Sequence, residues 1–81
     1  MKLRQFEQQQ NYIFGLTFAN GEFIETDLTP LIKDHVNATE LVSARIDQDW
    51  GCLEFKDGAV DIEPDTLYKW AKSHISPPSL K

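Results

Sequence analysis

The side chains that could do chemistry in this sequence are two histidines, one cysteine and a run of carboxylates. His35 and His74 come from distant segments, and their spacing is not that of paired metal ligands. Cys52 has no Cys-x-x-Cys partner and lies in no nucleophile motif. We therefore expect no catalytic residue, no metal site and no cofactor, and we interpret the chain as a non-enzyme.

Most of the negative charge is concentrated in one segment. The net charge is −5, and residues 47–65 carry seven acidic residues and one lysine, so the rest of the chain sums to +1. The spacing of these carboxylates is not that of an EF-hand calcium loop. Two interpretations remain, a solvated face and a surface for a basic partner. Direct binding of nucleic acid is not expected, because it requires a basic surface.

The pair Asp57-Gly58 between two strand-like runs predicts a β-hairpin with a two-residue type I′ turn. Such a turn sets the register, so Glu54 lies opposite Asp61. Alternation then divides the hairpin into two faces. The apolar face contains Leu53, Phe55, Val60 and Ile62. The opposite face contains Trp50, Cys52, Glu54, Lys56, Ala59, Asp61 and Glu63.

Four residues of this second face form the predicted partner-binding surface: Trp50, Glu54, Asp61 and Glu63. Like charges directly opposite on a sheet are unfavourable, and an exposed tryptophan is typical of binding hot spots. We expect a partner that supplies Arg or Lys, either another protein or a second copy in a homodimer or higher oligomer. In the alternative interpretation, Lys56 and solvent screen the carboxylates and Trp50 packs against a neighbouring strand.

The remaining elements are predicted from turn and cap signals. Residues 3–8 form an edge strand, and Asn20-Gly21 supplies a second type I′ turn that places Phe18 opposite Phe23. Thr29 is the expected N-cap of a short helix, and Asn37 with Glu40 forms a second cap. Pro64 begins a C-terminal helix.

The stripe that this helix presents comprises Leu67, Trp70, Ala71 and His74, and we expect it to cover the apolar face of the second hairpin. The predicted fold class is α+β: an antiparallel sheet of two β-hairpins plus an edge strand, with a C-terminal helix packed on one face and short helices in the middle. We expect residues 1–75 to form one domain and residues 76–81 to form a flexible tail.

Composition indicates where such a chain works. The 81 residues suffice for one small core, and the sequence has neither a long apolar run nor a signal peptide. A single cysteine suits a reducing compartment. We expect a cytoplasmic protein that does not enter a membrane.

A family resemblance rests on residues in both hairpins. These residues are Tyr12, Leu16, Phe18, Gly21, Asp27, Leu28, Leu31 and, above all, the pattern Asp57-Gly58-x-x-Asp61-Ile62-x-Pro64-Asp65-x-Leu67-Tyr68. Over roughly residues 4–70 the chain resembles the small bacterial family catalogued as domain of unknown function 2442. No activity is established for that family.

The resemblance implies a compact α+β domain with an antiparallel sheet. Some members precede a helix-turn-helix, and some lie beside small toxin-like proteins and are suspected antitoxins. This sequence carries no helix-turn-helix after residue 75, so DNA binding of its own is not expected. We expect a small interaction module, such as an antitoxin-like or regulatory binding partner. The alternative is a sensor that holds a small molecule in a pocket beside the sheet.

Overall fold

Two three-stranded antiparallel sheets and two α-helices make up the fold, which a computed structural model describes for residues 1–76. The elements are β1 (Leu3–Gln8), β2 (Ile13–Phe18), β3 (Phe23–Asp27), α1 (Thr29–Ile32), a 3₁₀ helix (Ala38–Ser43), β4 (Arg45–Ile46), β5 (Leu53–Phe55), β6 (Val60–Ile62) and α2 (Pro64–Ser73). The strand orders are β1-β2-β3 and β4-β5-β6. The predicted α+β class is confirmed, although the strands form two sheets and the two-residue strand β4 was not expected.

The first sheet buries one face, on which its central strand places large apolar side chains at every second residue. Phe14, Leu16 and Phe18 of β2 are fully buried, as expected of residues that share one side of a strand. Strand β1 pairs only with β2 within residues 1–76, which confirms its prediction as an edge strand. This sheet is the base on which the helices and the second sheet pack.

The turn between β2 and β3 differs from the prediction. It is a three-residue loop in which Gly21 alone takes a positive φ, +87°, and the amide of Gly21 donates to the Phe18 carbonyl over 2.8 Å. A type I turn followed by a left-handed glycine produces this kind of loop. The register moves by one residue, so Phe23 pairs with Thr17. The prediction that Phe18 faces Phe23 is wrong, and Phe23 lies on the outer face with 54% of its surface exposed.

The second hairpin has the predicted register. Glu54 pairs with Asp61, and Leu53 pairs with Ile62. Asp57 and Gly58 have φ values of 57° and 87°, as the central positions of a type I′ turn require. Lys56 also has a positive φ, 57°, so the left-handed segment is one residue longer than the predicted two-residue turn. The face that holds Leu53 and Phe55 is buried.

Short helices connect the two hairpins. Asn37 and Glu40 form the predicted reciprocal cap, in which each side chain accepts a hydrogen bond from the other residue's backbone amide. Thr29 is not the N-cap of α1, because Leu28 holds that position. Instead, the carboxylate of Asp27 accepts hydrogen bonds from both the amide and the hydroxyl of Thr29.

Helix α2 begins at Pro64 as predicted and docks differently from the prediction. Leu67 and Ala71 are fully buried, whereas His74 is exposed. The helix packs beside β3, where the indole N–H of Trp70 donates to the backbone carbonyl of Asp27 over 3.1 Å. Helix α2 therefore packs against the first sheet. Its buried residues Leu67 and Ala71 belong to the same core cluster as the apolar residues of the second hairpin.

That core is a single cluster drawn from both sheets and the helices. Its buried members are Leu3, Phe14, Leu16, Phe18, Ile24, Leu28, Ile32, Val36, Leu41, Leu53, Phe55, Ile62, Leu67 and Ala71. The rings of Phe14 and Phe55 meet edge to face at 6.0 Å and so join the two sheets directly.

The chain after α2 turns back along β3. The hydroxyl of Thr26 donates to the carbonyl of His74, and the amide of Ser76 donates to the carbonyl of Glu25, both over 2.7 Å. The remainder of the predicted tail, residues 77–81, lies outside the described residues.

A polar tie links α2 to the first hairpin, and it makes stability depend on pH. Glu22 accepts hydrogen bonds from Lys72 and Tyr68, each over 2.7 Å. These bonds lower the pKa of Glu22 to about 2. A carboxyl whose pKa falls on folding stabilises the native state above its unfolded pKa, and this contribution disappears as the pH falls through the folded pKa.

We expect Glu22→Gln to lower stability at neutral pH, and we expect the difference from wild type to shrink as the pH falls towards 2, because the carboxylate of folded wild-type protein becomes protonated around its pKa of about 2. Urea titrations of both proteins between pH 2 and pH 7 provide the measurement. A difference in midpoint that stays constant across this range would show that charge on Glu22 does not stabilise the fold.

Candidate functional site

The loop between β4 and β5 presents an aromatic side chain to solvent. The amide of Gly51 donates to the carbonyl of Asp47 over 2.7 Å, and the amide of Asp47 donates to the carbonyl of Cys52 over 2.9 Å. The carboxylate of Asp47 also accepts from the amide of Asp49 over 2.9 Å. These bonds hold the loop closed. Trp50 lies at its tip with 72% of its surface exposed.

A groove of about 520 Å³ runs from this loop to the start of α2. We name it the acidic groove. Its lining residues are Asp47, Trp50, Cys52, Asp61, Glu63, Pro64 and Asp65. Strand β6 supplies Asp61, and Pro64 turns the chain into α2 so that Asp65 returns to the same rim. The groove is thus assembled from the loop between β4 and β5, from β6 and from the start of α2.

Three of the four predicted partner-binding residues line this groove: Trp50, Asp61 and Glu63. The fourth, Glu54, does not line it and is only 9% exposed. Arg45 pairs with Glu54 across β4 and β5, and its guanidinium donates to the Glu54 carboxylate. This contact raises the pKa of Arg45. The like-charge pair of Glu54 and Asp61 is therefore compensated within the chain, and Glu54 is not presented to a partner.

Cys52, predicted on the hairpin face opposite the apolar one, is buried and lines the groove. Burial, followed by the nearby carboxylates, raises the pKa of its thiol. A thiol of this kind stays protonated at neutral pH and is a poor nucleophile.

The histidines and carboxylates are not arranged as a metal site. Within residues 1–76, no three His, Cys, Asp or Glu side chains are grouped closely enough to hold a metal ion. His74 stacks on Trp70 with ring centroids 3.6 Å apart, on a different part of α2 from the groove. The carboxylates of the groove are therefore distributed along it and do not converge on one position where a metal ion could bind.

A scan against family models gives one assignment. The model described as "Protein of unknown function (DUF2442)" matches residues 5–73. The chain belongs to this family. A search of curated proteins and a search of solved structures each returned no match.

No basic side chain of residues 1–76 lines the acidic groove of this DUF2442 domain. In the alternative interpretation Lys56 screens the carboxylates, but its ammonium lies 3.6 Å from Glu40 and donates to the carbonyl of His35. Among residues 1–76, neither Asp61 nor Glu63 has a basic group within 4.0 Å. Asp65 binds the amino group of Met1 over 2.6 Å, which lowers the pKa of its carboxyl. Most of the negative charge in the groove is consequently uncompensated.

Sequence reasoning missed Asp47 and Asp65 as parts of this surface. Both residues belong to the acidic segment, but neither lies on the strands of the predicted hairpin. The available signal was the Asp47-x-Asp49 spacing before Gly51, which is typical of a tight loop. The described part of this DUF2442 domain has no helix that is long and apolar enough to cross a membrane.

The backbone of the Trp50 loop depends on Gly51, which yields a stability prediction. Gly51 has φ of +74°, and a Cβ there would lie 2.6 Å from Cβ and 3.0 Å from Cα of Lys2. We expect Gly51→Ala to destabilise the protein by more than about 1 kcal/mol, because the substitution combines an unfavourable φ with a backbone clash.

Gly21→Ala is the matched control in this DUF2442 domain. Gly21 also has a positive φ, but a Cβ there would meet no atom within 4 Å. Guanidinium chloride titrations of both variants should give the lower midpoint for Gly51→Ala. Equal midpoints would mean that the contact with Lys2 imposes no constraint.

Proposed function

We propose that this chain is a non-catalytic protein-interaction module whose acidic groove binds an exposed basic segment of a partner protein. One observation supports the proposal above the others: Trp50 is 72% exposed and lines the same groove as Asp61 and Glu63, which have no basic group within 4.0 Å among residues 1–76. Exposed large aromatic residues next to complementary charge are typical of protein-binding hot spots.

Charge and apolar contact have separate roles in this proposal. Unpaired carboxylates on the rim attract a basic segment over a distance and orient it, which mainly accelerates association. Burial of the Trp50 ring against the partner slows dissociation, since buried aromatic anchors carry much of the binding energy at interfaces. The groove lacks the features of an active site, because its thiol stays protonated and its carboxylates do not converge.

An antitoxin-like role is one form of this function, with the partner a small basic protein that the groove neutralises. A regulatory role would use the same contacts. Location in the cytoplasm suits either form. Each is part of the proposal, and each requires only that the partner expose Arg or Lys in an accessible segment.

A small-molecule sensor is the alternative. The volume of about 520 Å³ falls within the range of ligand pockets, roughly 300–1,000 Å³. Ligand pockets, however, are lined mainly by apolar and aromatic side chains, whereas this groove is lined mainly by carboxylates. A thermal-shift screen of small molecules tests this alternative. A small molecule that binds the folded protein and is present at 100 times its dissociation constant adds about 2.7 kcal/mol of stability.

The proposal is tested by titration calorimetry with an arginine-containing peptide. Asp61→Asn combined with Glu63→Gln removes two negative charges from the groove. We expect this double variant to bind the peptide roughly tenfold more weakly at low salt, with a smaller difference at high salt because the charges are then screened.

Two controls make the test specific. Glu7→Gln combined with Asp34→Asn removes the same charge from exposed sites outside the groove, where neither residue forms an ion pair among residues 1–76. A peptide with citrulline in place of arginine keeps the shape and loses the charge. Equal affinity of the two double variants for the arginine peptide would refute the proposal.

A further inference from the structure

A second groove lies on the other side of the Trp50 loop. It has a volume of about 260 Å³ and is lined by Lys2, Leu3, Arg4, Ala19, Ile46, Asp47, Gln48 and Gly51. We name it the basic groove. Asp47 lines both grooves, so they meet at the base of the loop. The loop separates a side lined by four carboxylates from a side lined by Lys2, Arg4 and one carboxylate, that of Asp47.

The two basic side chains form no ion pair with the described part of the chain. Lys2 and Arg4 are exposed, and within residues 1–76 neither has a carboxylate within 4.0 Å. The guanidinium of Arg4 donates one hydrogen bond, to the carbonyl of Ala19 over 2.8 Å. Guanidinium has five N–H donors, so most of them remain free for a carboxylate.

The backbone beneath these side chains is fixed to the Trp50 loop. The amide of Leu3 donates to the carbonyl of Gly51 over 3.1 Å, and the amide of Ala19 donates to the carbonyl of Lys2 over 2.8 Å. Lys2 therefore packs directly against the loop that carries Trp50. These backbone hydrogen bonds fix the position of the basic groove relative to the acidic groove.

We infer that the basic segment bound by the acidic groove is supplied by a second copy of the chain, which inserts Lys2 and Arg4. This inference rests on the proposed function. A two-fold axis beside the loop places the basic groove of each copy against the acidic groove of the other, and both contacts form together, as in an isologous dimer. The two Trp50 rings lie near the axis and are buried on association.

Local complementarity is what favours this partner. Each copy has a net charge of −5, so two copies repel each other at long range. Association therefore depends on the few residues that bring opposite charges into contact between the two copies. This dependence makes the dimer sensitive to changes at Lys2, Arg4, Asp61 and Glu63, and insensitive to equal changes of charge elsewhere.

A charge-swap experiment by sedimentation velocity tests the inference. We expect wild type to dimerise across the micromolar range. One variant combines Lys2→Glu with Arg4→Glu, and the other combines Asp61→Lys with Glu63→Lys. Each variant alone places like charges at both contacts, so we expect each to be monomeric, with self-association weakened at least roughly tenfold. An equimolar mixture restores opposite charges at both contacts, and we expect it to dimerise.

Circular dichroism establishes that each variant is folded. If a reversed charge prevents folding, the milder pairs Lys2→Gln with Arg4→Gln and Asp61→Asn with Glu63→Gln are used, and both should weaken the dimer. Failure of the folded charge-swap variants to dimerise when mixed would overturn the inference. A wild-type chain that stays monomeric but binds the arginine peptide would overturn it as well and would leave the proposed function standing. A wild-type dimer that survives both charge reversals would place self-association at another surface.

Discussion

Leu67→Ala is expected to lower the free energy of unfolding by about 2 to 5 kcal/mol, as large-to-small substitutions in protein cores do. Leu67 is fully buried in the middle of α2, in the one cluster that both sheets share. A domain of this size has a small total stability, so the variant should unfold at a much lower denaturant concentration.

Val42→Ala is the matched control, because Val42 is 86% exposed and should tolerate truncation. Urea titration followed by far-ultraviolet circular dichroism measures both variants. If Leu67→Ala unfolds at the same midpoint as Val42→Ala, then α2 does not dock on the shared core.

Trp50→Ala is expected to weaken binding of the arginine peptide roughly 30-fold, since hot-spot aromatics contribute about 2 kcal/mol or more. The stability of the free domain should not change, because Trp50 lies at a loop tip with most of its surface in solvent. The effect on binding is therefore separable from an effect on folding.

Phe23→Ala serves as the control for loss of an exposed aromatic ring. Phe23 is 54% exposed on the outer face of the first sheet and belongs to another surface. Calorimetry should give wild-type affinity for Phe23→Ala. Equal loss of affinity in both variants, or no loss in either, would remove Trp50 from the binding site.

Local signals in the sequence were sufficient for the second hairpin. Asp57-Gly58 predicts a tight turn and thereby which residues face each other, and the observed register agrees although Lys56 also has a positive φ. The reciprocal cap of Asn37 and Glu40 is equally local, because each side chain bonds to backbone three residues away. Features of this kind depend on neighbours in sequence and can be read without knowing the fold.

Other features depend on contacts between distant residues and were missed. Asn20-Gly21 is as strong a turn signal as Asp57-Gly58, yet only Gly21 has a positive φ, and the register moved by one residue. Strand β4 contains two residues, which is too short for a periodic pattern, so its ion pair from Arg45 to Glu54 was not foreseen. Helix α2 docks on the first sheet because tertiary packing, and not chain proximity, decides which apolar surface it covers.

The candidate site was predicted in part for the same reason. Alternation within the hairpin placed Trp50, Asp61 and Glu63 on one face, and all three line the acidic groove. Asp47 and Asp65 come from a loop and a helix start, where no strand periodicity applies. The basic groove joins β1 to the Trp50 loop, two segments that lie far apart in sequence.

The most direct measurement is a titration of the ¹⁵N-labelled protein with the arginine peptide, followed by two-dimensional nuclear magnetic resonance. We expect saturable, salt-sensitive shifts at the indole N–H of Trp50 and at the amides of Asp47, Asp61 and Glu63, with little change at Phe23 on the outer sheet face. Shifts centred on the outer sheet face, or none at the groove under conditions where the peptide binds, would contradict the assignment of the acidic groove as the binding site.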